Sequence, residues 1–563
     1  MGLSITGGAL YTGSVLATAR VLLVDCQATA ACPRGHLLEL GWATLDPDRD
    51  SVDARSRVIA LPAGQRVPPQ VARITGIDND LARAGVPASQ AWAELLADAS
   101  SIAQRPPPAV AHFARFERPF LARLADGAIP LDLFCTHEIA IRLFPDLPRR
   151  SLRALAGYFG RSVGELRRSA EHVVATAFVW RELVLLLEER GVRTWQELRA
   201  WLEAPSSSGR RTKRGWPMPR EVRLAAPDRP GLYRMLRTSG DVLYVGKAAS
   251  LHARVNSYFR KLRGVHERTL EMLSQARGLS FEITESPLEA ALLEPDEIKR
   301  HRPPYNEALT EADRAVWFAR TDLSARGTSA SAALPLGPFA STALLDRLDA
   351  FVRGAPTAIA PARWAPEPGV FEAAIASLRR AHPELEGGVD HRNVLRVGAR
   401  LWREGRRLGH EGDEQGPRSS RSDRDEPLFA RAWTPEAVAA ELEQIALGCA
   451  RAARRARWLT ALVESTLVWS EPGAQAPRLL VISDGEIARR ESVAFGFEPP
   501  APAAHRRARA ERHAAFTVAR FDRLRVLTTE LKRLVSKDLP VAVRLAPGAI
   551  LTGARLAGVL ARV

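Results

Sequence analysis

The apolar positions of this chain change period several times along its length. Residues 21–26 (VLLVDC) and 37–45 (LLELGWATL) are short apolar runs and predict adjacent strands. Residues 89–103 (SQAWAELLADASSIA) repeat apolar positions at helical spacing, and 108–114 (PAVAHFA) predict another buried strand. Helices follow over 151–160 (SLRALAGYFG) and from Ala170 to Glu189. This alternation predicts an α/β domain over residues 1–204. Residues 205–220 (PSSSGRRTKRGWPMPR) break the pattern, because Pro, Ser, Gly and like charges bury too little surface to fold, so they read as a basic linker.

A compact unit is expected over 221–307. It holds two strands around GLY (231–233) and YVG (244–246), with a turn-like TSGD between them. A helix begins near Ser250, a strand covers 279–285 (LSFEITE), and a helix covers 288–301 (LEAALLEPDEIKRH). The remainder, 308–563, reads as α+β. Its charged, turn-rich stretch 404–427 predicts a disordered loop. A long helix is expected over 435–466, a hairpin around Asp484–Gly485, a helix over 521–537 and a strand over 540–546. No internal repeat is visible.

With 563 residues, the chain is too long for one ordinary domain. Lys and Arg number 80 against 64 Asp and Glu, and a net charge of +16 calls for an anionic partner, nucleic acid first. Basic stretches such as RAARRAR (451–457) and HRRARAERH (505–513) suit phosphate contacts or, equally, a solvated helix face. No apolar run spans a bilayer, so no membrane partner is expected. The run 21–26 ends in an acid and reads as a strand rather than a signal peptide. Cys26, Cys32, Cys135 and Cys449 make no CxxC pair. That argues against a zinc site, an iron–sulfur cluster or a disulfide framework, and for a reduced, cytoplasmic protein.

Candidate chemistry concentrates in 231–306. GLY (231–233), YVG (244–246), the segment GKAASLHARVNSYF (246–259) and LEAALLEPDEIKRHRPPYN (288–306) occur in this order. They resemble the GIY-YIG endonuclease domain of the excinuclease subunit UvrC and its homologue Cho. That resemblance implies a catalytic set of Tyr233, Tyr244, Lys247, Arg254, Tyr258, Glu294 and Asn306. Taken singly, a buried strand tyrosine is usually core and a helical arginine usually solvated; the combination is what points to chemistry. Phosphodiester hydrolysis needs an attacking water, charge neutralisation at phosphorus and help for the leaving oxygen. Glu294 can hold a hard divalent cation, Mg²⁺ or Mn²⁺, with waters completing the shell. Arg254 can fork onto phosphate oxygens. Tyr244, or alternatively Tyr233, can order or deprotonate the water if Lys247 or the metal lowers a phenol pKa of roughly 10. Tyr258 lies one helical turn after Arg254, on the same face. Asn306 ties the closing segment to the site. Pro295 departs from the family pattern: it removes an N–H and disfavours helix at Glu294, which predicts a kink there.

The N-terminal motifs VLLVDCQAT, LLELGWATLD, VPPQVARITGI (67–77), AHFARFERPFL (111–121) and AEHVVATA (170–177) resemble a DEDDh 3′–5′ exonuclease of the polymerase III epsilon type. The resemblance implies an RNase H-like fold and a two-metal site of four carboxylates with a histidine base. The acids are mostly missing. Asp25 is followed by Gln27 where an acid is expected, Glu117 stands for an Asp, and Arg167 and His172 stand for the His and Asp of the last motif. Gln27 has no charge, Arg167 cannot act as a base and its positive charge would compete with metals, and His172 makes a poor Mg²⁺ ligand. A one-residue slip would bring Glu171 into place. The expectation is a catalytically dead domain.

PLGPFASTALLDRL (335–348) resembles the Gly-Pro-Phe segment that follows the nuclease domain in UvrC and Cho. No acid set for a second nuclease is assignable, so the chain is closer to Cho, with one cutting site. The resemblance implies a Mg²⁺-dependent, structure-specific endonuclease making one incision, 3′ to a lesion, in double-stranded damaged DNA, after a UvrB-like protein has loaded it. The alternatives are a 3′–5′ exonuclease linked to replication, or a DNA-binding scaffold with no activity.

Overall fold

The computed structural model describes residues 15–205, 215–260, 264–310, 314–360, 365–407, 433–502, 516–546, 548 and 550–563. The core of the expected linker, the loop over 408–427 and the basic stretch 505–513 lie outside the described residues. The chain divides into two compact units: Met1–Ile283 with Pro303–Glu307, and Thr284–Arg302 with Ala308–Val563.

The first unit opens with a five-stranded sheet in the order Arg55–Val58, Leu37–Leu45, Val21–Ala28, Pro108–Ala111, Asp132–Cys135. The first three strands are antiparallel, and the last two join parallel. Val21–Val24 are fully buried because the sheet is covered on both faces. One face packs on the helix Ser169–Glu188 through Val173, Trp180 and Leu183. The other packs on the helices Ala88–Ala99 and Ala114–Leu124 through Trp92, Leu95 and Phe120. The strand expected over 108–114 stops at Ala111; Ala114 already begins a helix.

Also in this unit, Gly231–Leu236 forms the middle strand of a three-stranded antiparallel sheet, between Val242–Ala248 and Gly278–Ile283. The helices Leu251–Arg260 and Glu267–Gln275 accompany it. Leu251, Val255 and Phe259 repeat at helical spacing and join Tyr233, Met235 and Leu243 in one core.

The second unit contains the helix Pro287–His301, which Ser286 caps by accepting from the Glu289 N–H. The helix runs unbroken through Pro295. Tertiary packing outweighs the lost N–H: Leu288 and Leu292 sit in the unit's main core, and Arg523 reaches Asp296 at 2.7 Å. Five antiparallel strands follow, in the order Glu486–Ser492, Arg478–Ser483, Ser465–Trp469, Val541–Leu545, Ile550–Thr552. The Asp484–Gly485 hairpin forms as expected, both residues at positive φ (51° and 74°). The long helix ends at Leu462, because residues 465–469 (STLVW) enter the sheet instead. Among the described residues, no helix is long and apolar enough to cross a membrane. The four cysteines are free thiols, and Cys26, Cys135 and Cys449 are buried.

Candidate functional site

The strands carrying GLY and YVG pair so that Tyr233 faces Gly246 and Met235 faces Tyr244. Tyr233 and Tyr244 are thus diagonal neighbours across the ladder. Their rings lie 6.0 Å apart, and each is about as far from Tyr258 on the next helix (6.3 and 6.5 Å). Gly246 makes this possible. A Cβ at that position would stand 2.5 Å from the Tyr233 hydroxyl and 2.8 Å from Tyr244 Cε1.

The Tyr233 and Tyr258 hydroxyls share a hydrogen bond of 2.8 Å. Arg254 Nη2 donates weakly to Tyr258 Oη at 3.4 Å, and the guanidinium lies 5.2 Å from the Tyr258 ring centre. Burial pushes the Tyr233 phenol well above its usual range, with Tyr258 and Tyr244 adding to the shift. Burial works against the Arg254 charge, but the surrounding tyrosine hydroxyls outweigh it and raise its pKa. Tyr233 is fully buried, whereas Tyr244 and Tyr258 are half-buried and Arg254 is exposed. The fixed phenol sits inside, and the groups able to meet a phosphate sit outside.

Asn306 closes the site from behind. Its side chain accepts from the Val245 N–H at 3.0 Å and donates to the Val245 carbonyl at 2.9 Å. Tyr305 N–H donates to the Leu243 carbonyl at 3.2 Å. Residues 305–306 therefore grip the main chain on both sides of Tyr244. Lys247 stands opposite Leu232, three residues beyond Tyr244 on the same strand. Glu294 is half-buried on the helix Pro287–His301, which belongs to the second unit. Of the seven residues, the structure brings Tyr233, Tyr244, Arg254, Tyr258 and Asn306 together around one strand pair. Among the described residues, no three His, Cys, Asp or Glu side chains are grouped as a metal site.

The exonuclease-like positions converge as well. Asp25 sits on the central strand, Glu117 in the first turn of Ala114–Leu124, and His172 in the first turn of Ser169–Glu188. His172 Nδ1 lies 3.3 Å from Asp25 Oδ1, and Gln27 Nε2 lies 3.5 Å from His172 Nε2. Burial first and Asp25 second push Glu117 well above the usual carboxylate range. Burial opposes charge on His172, but Asp25 overcomes it and raises its pKa. Asp25 Oδ2, Glu117 Oε2 and His112 Nε2 are buried without a hydrogen-bond partner. Arg167 is not part of this cluster's charge: its guanidinium pairs with Glu165 at 3.3 Å on the surface. Glu171 is a cap, accepting the N–H groups of Arg167 and Arg168, so it is His172 that faces Asp25. Sequence reasoning missed His112, whose pKa burial lowers to about 3; a lone histidine at a strand end carries no spacing signal.

Comparison with known proteins matches the same segment of the chain. The family model of the UvrC-like GIY-YIG domain matches residues 229–307. A bifunctional exonuclease/endonuclease candidate of Mycobacterium tuberculosis is 31% identical over 262 residues, 46% of this chain and 39% of that protein. UvrABC system protein C of Sphingopyxis alaskensis is 42% identical over 142 residues, 24% of this chain and 22% of that protein. The chain thus spans about two fifths and one fifth of these relatives. The crystal structure of the GIY-YIG N-terminal endonuclease domain of UvrC from Thermotoga maritima, bound to its catalytic magnesium, is 34% identical. It covers 16% of this chain and 93% of that one, with a TM-score of 0.14. Its tyrosine strand pair, its Asn306 closure and its match to the family model make residues 229–307 a UvrC-like GIY-YIG domain.

Proposed function

We propose that this chain is a DNA endonuclease of excision repair that makes a single nick in damaged duplex DNA. The observation that carries this reading is the Tyr233–Tyr258–Arg254 cluster beside Tyr244, inside a UvrC-like GIY-YIG domain. Glu294 is the residue that would hold Mg²⁺: it offers a hard carboxylate oxygen, and Mg²⁺ commonly takes one or two carboxylates, substrate phosphate and several waters. When bound, the ion would neutralise charge at the phosphate and the leaving oxygen.

The chain's own residues do the rest. Arg254 binds the non-bridging phosphate oxygens, where charge grows as the water oxygen bonds to phosphorus and the bond to the leaving oxygen breaks. Tyr258 orients Arg254. Tyr244 positions the water and takes its proton as a phenolate; Lys247, three residues on, favours that form. Tyr233 holds Tyr258 in place. Its buried hydroxyl, with a raised pKa and an engaged partner, supports Tyr244 as the group that acts on water.

A two-metal centre does not fit the exonuclease-like cluster. Gln27 supplies no charge, His172 occupies Asp25, and Glu117 favours its protonated form. We read that domain as inactive. Incision on the 3′ side and loading by a UvrB-like protein rest on the family resemblance, and the net charge of +16 suits a DNA substrate. The test is the product formed from a 5′-labelled, lesion-bearing duplex in Mg²⁺, with and without a UvrB-like loader. A discrete nick supports the reading. A ladder shortened from the 3′ end points to the N-terminal site instead, and binding without cleavage to a scaffold.

A further inference from the structure

The helix Glu267–Gln275 of the GIY-YIG domain carries three polar residues that are buried or nearly so: Glu271, Ser274 and Gln275. Buried polar groups need partners, and much of what satisfies these comes from the exonuclease-like domain of the same unit. Ser151, which also caps the helix Leu152–Tyr158, donates to Glu271 Oε2 at 2.8 Å. Arg153 Nε lies 3.5 Å from Glu271 Oε1, with both side chains more than four-fifths buried. The Arg149 N–H donates to Ser274 Oγ at 2.9 Å. Gly157 leaves the space that Gln275 fills, since a Cβ there would stand 1.8 Å from Gln275 Oε1. Arg277 lies over Tyr158 at 4.3 Å.

From Glu271 the network runs inward. Tyr305 Oη donates to Glu271 Oε1 at 2.8 Å and accepts from Gln275 Nε2. Gln275 Oε1 in turn accepts from buried Arg237 at 2.9 Å. Arg153 and Arg268 both lie 5.5 Å from the Tyr305 ring centre. Tyr305 and Asn306 then grip Leu243 and Val245, the two neighbours of Tyr244.

We propose that Glu271 and Tyr305 are positioning residues for Tyr244, and that the exonuclease-like domain, through Ser151 and Arg153, is the clamp that holds them. This rests on the endonuclease reading above and adds to it. A domain whose own cluster does not fit a two-metal centre thereby acts as a built-in support of the neighbouring site. Tyr305 and Asn306 bond the main chain of Leu243 and Val245, so the network's effect on cutting is transmitted through strand Val242–Ala248.

The experiment uses the full chain with Arg153→Ala, Arg153→Lys and Tyr305→Phe. Four quantities are read: kcat and KM for nicking in Mg²⁺, thermal unfolding, and hydrogen exchange in peptides covering 242–248. The expected result is a fall in kcat of roughly 2- to 30-fold at unchanged KM in Arg153→Ala and Tyr305→Phe. Exchange at Val245 should speed up, and Arg153→Lys should recover part of both. Unchanged kcat and exchange would overturn the proposal, and so would a rise in KM alone or a lowered unfolding temperature with normal kcat. If Arg153→Ala fails to fold, Tyr305→Phe decides. If the parent chain does not nick DNA, the endonuclease reading fails, while exchange at Val245 still decides the positioning claim.

Discussion

Gly246 shows how much of the central site depends on one missing methyl group. Its neighbours are a fully buried tyrosine and the ring of Tyr244, both closer than a Cβ tolerates. Gly246→Ala is expected to cost about 1–3 kcal/mol by overpacking. Displacing Tyr244 should also cut nicking roughly 100-fold; denaturant melts and nicking rates on the same preparation check both. At the same scale, Tyr244→Phe should lower kcat by roughly 100-fold or more with DNA affinity kept. Tyr233→Phe should lose less, because the Tyr233 hydroxyl braces Tyr258 rather than facing water. Equal losses in the two variants, measured by single-turnover kinetics, would contradict that division of labour. The tyrosines, Arg254 and Asn306 were legible in the sequence because they come in fixed motifs. Tyr305 was not: its importance depends on Glu271 and Arg153, which lie 34 and 152 residues away.

At the scale of elements, the helix Pro287–His301 carries Glu294 and is anchored at its far end by a buried ion cluster. Lys299 Nζ lies 2.9 Å from Asp522, whose side chain is fully buried and also accepts from Arg314 at 2.7 and 3.0 Å. Burial opposes the Asp522 charge, but Arg314 and Lys299 outweigh it and lower its pKa from the ordinary 3.8. A depressed carboxylate contributes stability that is fully present above its unfolded-state pKa and is lost as pH falls through the folded-state value. Asp522→Asn should therefore cost about 3–5 kcal/mol at pH 7, because it leaves two cations facing a neutral group. The deficit should shrink as the pH is lowered below about 4. A deficit that is constant from pH 7 to pH 3 in urea titrations would contradict this account. Pro295 illustrates a limit of reading elements from sequence. Local propensity disfavours helix at Glu294, whereas the packing of Leu288 and Leu292 and the Asp296–Arg523 pair keep the helix unbroken through Pro295. The hairpin at Asp484–Gly485 was readable because turn chemistry is local. The strand Ser465–Trp469 was not, because a short apolar run directly after a helix looks like its last turn.

At the scale of the whole molecule, an α/β domain that resembles an exonuclease and a UvrC-like GIY-YIG domain share one unit, and cutting is proposed for the GIY-YIG domain. The N-terminal domain carries Asp25 on its central strand and Glu117 on the helix Ala114–Leu124, yet His172 lies 3.3 Å from Asp25, where a two-metal site would need open carboxylates. The α/β character of that domain was plain from its alternating pattern; the pairing of Asp25 with His172, and the capping role of Glu171, needed three dimensions. With a net charge of +16, DNA affinity should fall steeply with salt, and a filter-binding titration between 50 and 200 mM salt is expected to show that slope. The central claim is tested most directly by incision of a 5′-labelled, lesion-bearing duplex in Mg²⁺ with a UvrB-like loader, comparing the parent chain with Glu294→Gln and Asp25→Ala. The account predicts one discrete nick that is abolished by Glu294→Gln and survives Asp25→Ala. Cutting that depends on Asp25, or that persists in Glu294→Gln, would contradict it.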